Sequence, residues 1–220
     1  MSASLVGAAF AARASGLLIA LGYLFGLVPG SVVAAVGALA LATLGRSFLQ
    51  TPVEQGFGAA GLALIAGAVG VATLRWGTLE LEGLRGAQAV LGATMLVGPT
   101  LAAVAAWLGA ASGLIGLGLW LEPGRPRDVV HWMWWVLEAV AGGLILGVAF
   151  WGPAVLFGGD DIGTVALGLG RWFLVALVGA VLGAAIAFAR EHLPAVISWV
   201  AVALGAVAIA VAAGLVRSVV

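Results

Sequence analysis

Three charged residues fall where a chain this apolar should carry none: Glu138, Arg171 and Arg13. Glu138 lies about nine residues into the helix that starts near Asp128, so about 14 Å deep at 1.5 Å per residue. Arg171 lies equally deep in the helix opened by Asp160 and Asp161, entering from the other side. The hydrocarbon core of a bilayer is about 30 Å thick, which puts both residues near its middle. Arg13 is similarly deep if its helix starts near Ser4. Each such charge costs about 2.5–3.5 kcal/mol on insertion scales, so it should face inward and find a partner.

A short turn joins the helices of Glu138 and Arg171, which makes them antiparallel neighbours and the expected pair. Gly142, Gly143 and Gly168 would let them approach. On the first of these helices His131, Trp135, Glu138 and Gly142 form one stripe. The pair either locks two helices together or forms a site for a substrate, proton or ion. If Arg13 joins, one positive charge is left over for an anionic ligand or a partner subunit's carboxylate.

His131 and His192 are weak metal candidates at helix ends on the same side, with Asp128 and Glu191 beside them. Histidines so placed are more often interfacial, and no metal and no cofactor is expected. The chain has no cysteine, which excludes disulfides, thiolate nucleophiles and Cys-ligated metal. It has no lysine either, so all nine cations are arginine, and P-loop or Schiff-base chemistry is excluded. Net charge is zero, which gives nucleic acid nothing to bind.

The elements that must hold these residues are hydrophobic helices. Apolar residues are 64% of the 220 and charged residues 8%, with a mean hydropathy of +1.23. A soluble domain carries about 25% charged residues, so most of this surface faces hydrocarbon. The expected fold is all-α, a polytopic transmembrane bundle forming one integral membrane domain over 1–220, with no extramembrane domain. Caps and prolines divide it into seven spans. The first runs from Ser4 to Val28 and the second from Ser31 to about Phe48. Thr51-Pro52-Val53-Glu54 is a capping box that starts the third, which runs to Trp76. The fourth is capped at Thr78, becomes apolar from Ala87 and runs to about Leu108 with a kink near Pro99, and a Gly-rich piece, Gly109 to Leu121, is read as re-entrant or interfacial. The fifth runs from Pro126 to Trp151, the sixth from Asp160 to Glu191 and the seventh from Pro194 to about Arg217. Eight spans are the alternative.

No small-x-small cleavage site follows Val28-Pro29-Gly30, so the first run reads as a span rather than a signal peptide. Arg46, Arg125, Arg127 and Arg190 share a side with the N-terminus, against Arg75, Arg85 and Arg217 opposite. The excess places the N-terminus in the cytoplasm. Trp120, Trp132, Trp134, Trp135 and Trp199 would form the cytoplasmic aromatic belt, and Trp76 and Trp151 the other. Glycines four apart, such as Gly109 and Gly113 or Gly179 and Gly183, suit close helix packing.

Three families are similar on one feature each. Seven helices with many tryptophans look like a microbial rhodopsin, but the last helix has no lysine for retinal. Ala110-Ala111-Ser112-Gly113 is similar to the rhomboid nucleophile motif, but its first glycine is missing and His131 follows too closely. The span layout resembles that of the SWEET transporters, without an internal repeat between 1–76 and 126–217. None carries an assignment. The expected function is a small transporter or transport subunit with an intramembrane Glu/Arg site, in a prokaryotic cell membrane, with an intramembrane enzyme as the third reading. The alternative is a non-catalytic accessory or scaffold subunit of a larger membrane complex. Expected partners are membrane lipids, with a second copy or other subunits of a membrane complex.

Overall fold

The computed structural model describes residues 3–25, 30–81, 83–84, 100–121, 129–151, 162–192 and 195–219. Its helices are α1 (Ala3–Leu24), α2 (Val32–Ser47), α3 (Pro52–Trp76), α4 (Thr100–Leu121), α5 (Val129–Leu146), α6 (Ile162–His192) and α7 (Ala195–Val219). A π-helical turn, Gly147–Trp151, extends α5. No named strand occurs among the described residues, and the fold is an all-α bundle. Five stretches are long and apolar enough to cross a membrane: Ser4–Leu24, Pro52–Trp76, Leu101–Leu121, Val129–Phe150 and Trp199–Ser218. Val32–Ser47 and Phe173–Ala185 are shorter apolar helices.

Local chemistry starts the helices where polar side chains can replace missing backbone partners. Ser31 caps α2, its hydroxyl accepting from the Ala34 amide at 3.1 Å. Thr51 caps α3 in a complete capping box, with the Glu54 carboxylate accepting from the Thr51 amide at 2.8 Å. Gly77 ends α3 at φ 66°, a left-handed conformation that favours glycine.

Close contacts set the directions of the helices. A Cβ on Gly45 would lie 2.5 Å from the Arg13 amide nitrogen, and one on Gly16 2.5 Å from the Ala38 carbonyl, so α1 and α2 form an antiparallel hairpin. Gly61 meets Gly116 and Trp120 while Gly113 meets Ala68, so α3 and α4 are antiparallel too. Gly113 also meets Leu146, and Gly142 meets Leu117 and Trp120, which sets α5 against α4. Gly67 lies on Ile209 and Gly205 on Leu64, which makes α7 parallel to α3. The helices therefore alternate in direction. α4 is the hub, packed on α3, α5, α6 and α7, whereas α1 and α2 pack mainly on each other and touch α3 and α5 more sparsely.

One sequence expectation is corrected here. Gly109–Leu121 is not a separate piece, because α4 runs unbroken from Thr100 to Leu121. The expected fourth span straddled a real helix, since glycines that look like breaks are absorbed where a helix packs closely. The eight-span alternative turns on the segment before α4, of which 85–99 lie outside the described residues. The expected caps at Pro126, Asp128, Asp160, Asp161 and Pro194 lie outside the described residues, as does the stretch 87–99.

Candidate functional site

α5 changes character at one residue. Before it, His131, Trp132, Met133, Val136 and Leu137 are exposed; from Ala141 to Phe150 every residue is buried. Glu138 is the first buried residue of the helix, at 2% exposure. A carboxylate buried this deeply must be compensated.

Two guanidinium groups compensate it. Arg13 Nε donates to Glu138 Oε1 at 2.8 Å, and Arg46 Nη1 donates to Glu138 Oε2 at 3.0 Å. Arg13 is 8% exposed and Arg46 3%. Charge-assisted hydrogen bonds of this kind are about twice as strong as neutral ones. Both arginines come from the α1–α2 hairpin, so a single carboxylate on α5 ties that hairpin to the rest of the bundle.

Indole rings cover the cations. Arg13 Cζ stands 4.9 Å from the centroid of the Trp134 ring, and Arg46 Cζ 5.4 Å from that of Trp120. Both distances are within the range of a cation–π contact. Trp120 is itself anchored: its Nε1 donates to Thr43 Oγ1 at 2.8 Å, and the Thr43 hydroxyl donates to the Leu39 carbonyl at 2.8 Å. On the neighbouring turn Trp135 Nε1 donates to the Leu121 carbonyl at 3.0 Å. The site thus draws on α1, α2, α4 and α5.

Of the residues expected to form a site, the structure brings Arg13 and Glu138 into contact. Arg171 is placed differently. Gly143 packs on Ala176 and α5 and α6 run antiparallel, so the backbone of Arg171 is level with about residue 148. That is about ten residues from Glu138, or about 15 Å along the helix axis. The pairing inferred from equal depth brought both residues to the midplane from opposite faces, whereas their backbones stand at different heights. The side chains of Arg171 and His192 lie outside the described residues. His131 is exposed at the start of α5. Among the described residues no group of three or more metal-ligating side chains occurs.

Arg46, Thr43 and Trp120 were missed as site residues. Arg46 was counted as a loop cation because it stands one residue from the end of α2. Its burial removes it from the orientation count, which then stands at three arginines against three. Trp120, fully buried, is likewise not part of an aromatic belt, whereas Trp132 and Trp199 are exposed. The available signal was the three-residue spacing of Thr43 and Arg46, which puts two polar groups on one side of an apolar helix.

Comparison with protein-family models, with curated proteins and with solved structures gave no match.

Proposed function

We propose that the protein is a small membrane transporter in which Glu138 is the proton-carrying group of the cycle. The observation that carries this reading is the position of the Arg13–Glu138–Arg46 cluster. It sits at the junction between the α1–α2 hairpin and the α3–α7 bundle, where the helices approach each other less extensively than within either unit. With Glu138 ionised, the carboxylate holds both guanidiniums and latches the hairpin. With Glu138 protonated, two like charges face each other across a neutral group, and the latch loosens. A charge placed at a joint between two packed units makes their relative position depend on proton occupancy.

Liposomes loaded with a pH-sensitive dye test this reading. Under an imposed potential, wild-type protein raises proton uptake above that of protein-free vesicles, and Glu138→Gln returns it to the protein-free level. Glu138→Asp keeps the charge on a shorter stem, retains the fold and lowers the uptake. Wild-type uptake equal to that of empty vesicles contradicts the proposal.

A second reading, an accessory subunit of a larger membrane complex, is favoured by one observation. Both oxygens of Glu138 are engaged by arginines, as in a permanent lock. It predicts fixed-stoichiometry association with other chains in native mass spectrometry of protein extracted from its own membranes. The transporter predicts a monomer or a homo-oligomer.

A further inference from the structure

The Arg46 guanidinium meets three helices besides its own. Nη1 donates to Glu138 on α5 at 3.0 Å, and the centroid of the Trp120 ring on α4 lies 5.4 Å from Cζ. The third helix is α3, which it meets at the buried Gly58. A Cβ placed on Gly58 would stand 2.8 Å from Arg46 Nη2 and 3.9 Å from Cζ, with Thr43 Cγ2 at 3.7 Å. A real Cβ does not sit that close to a nitrogen, so Arg46 fills space that exists because position 58 has no side chain.

Nη1 and Nη2 belong to one rigid planar fork, so neither nitrogen shifts without the other. The atom that a methyl group at position 58 would displace is the far end of a flexible side chain. The guanidinium gives way first, and the α2 and α3 backbones keep their places.

We infer that Gly58 is a positioning residue of the site: the room it leaves lets Arg46 hold Glu138 Oε2, and a side chain there swings the fork off the carboxylate. α3 thereby bears on the latch through its backbone. The inference rests on the transport reading in one respect, that Glu138 is the working group; the contact itself stands without it. Arg13 donates to Oε1 and Arg46 to Oε2, so the two C–O bonds of Glu138 are alike. With Oε2 released they become unequal, and the antisymmetric and symmetric carboxylate stretches move apart.

The test is infrared spectroscopy of the reconstituted full chain, with isotope-labelled glutamate to separate its carboxylate bands. Gly58→Ala is expected to widen the separation of the two stretches for one glutamate, and Glu138→Gln removes the bands that move. A Cβ on Gly56 meets nothing within 4 Å, so Gly56→Ala is the control and leaves the wild-type spectrum. Arg46→Lys ends in one ammonium nitrogen instead of a fork, so adding Gly58→Ala to it shifts nothing further. Unmoved bands in Gly58→Ala, or the same shift in the Arg46→Lys background, overturn the inference. If Gly58→Ala unfolds in detergent, Arg46→Lys restores the fold, and a double variant that unfolds as well overturns the inference too. Proton uptake is read on wild type and Glu138→Gln in vesicles, so the transport reading and the role of Gly58 can each fail alone.

Discussion

Replacing Glu138 by glutamine leaves two buried guanidiniums facing each other without a counter-charge. Breaking a buried ion pair in this way costs about 3–5 kcal/mol. Arg13→Gln leaves a one-to-one pair between Arg46 and Glu138 and should cost less; thermal unfolding in detergent compares the two, and the reverse order contradicts the cluster as described. Trp120→Phe keeps a ring near Arg46 but removes the donor to Thr43, an expected loss of about 0.5–1.5 kcal/mol. Thr43→Val removes the acceptor, so a double-mutant cycle on this pair should be non-additive. Additive losses would show that the hydrogen bond contributes nothing. At this scale the sequence was partly legible. Glu138 and Arg13 stood out because depth can be counted from a helix end. Arg46 did not, because it lies one residue from the end of α2 and is buried only by what extends past it: α1 packs its Arg13 turn against Gly45, and Trp120 covers the guanidinium.

Helix starts were legible wherever capping chemistry was explicit. Thr51 and Glu54 form the reciprocal cap that their spacing implied. Thr51→Ala should cost about 1 kcal/mol of stability, and an unchanged unfolding midpoint would mean that this cap does not hold α3. Helix packing was less legible, since glycine content says nothing of which glycines touch a neighbour. A Cβ on Gly61 would lie 2.5 Å from the Gly116 carbonyl, backbone that cannot move aside, whereas one on Gly37 or Gly70 meets open space. Gly61→Val should therefore destabilise the α3–α4 pair by about 1–3 kcal/mol or prevent its folding, and Gly37→Val should be tolerated. Equal behaviour of the two variants in detergent unfolding would contradict the packing. The unbroken α4 belongs to the same lesson: Gly109, Gly113 and Gly116 look like interruptions in the sequence, yet each sits against a side chain or backbone of a neighbouring helix.

At the scale of the whole molecule, the described residues form seven helices that alternate in direction. α1 begins at one end of the bundle and α7 finishes at the other, so reporters fused to the two termini should lie on opposite sides of the membrane. Reporters on the same side would contradict this topology. The hydrophobic composition made the bundle legible from the start, whereas the offset between α5 and α6 was not, because it depends on which residues pack at Gly143 and Ala176. That offset gives Glu138 a different neighbourhood from the one equal depths implied, with the α1–α2 hairpin as its partner. In the proposed cycle Glu138 takes up the proton that loosens the hairpin. Infrared difference spectroscopy of the reconstituted protein across an acid titration tests it most directly. A protonated-carboxyl C=O stretch is expected to appear as pH falls and to be missing from Glu138→Gln. If that band never appears while the protein remains folded, Glu138 is a permanent ion-pair partner and carries no proton.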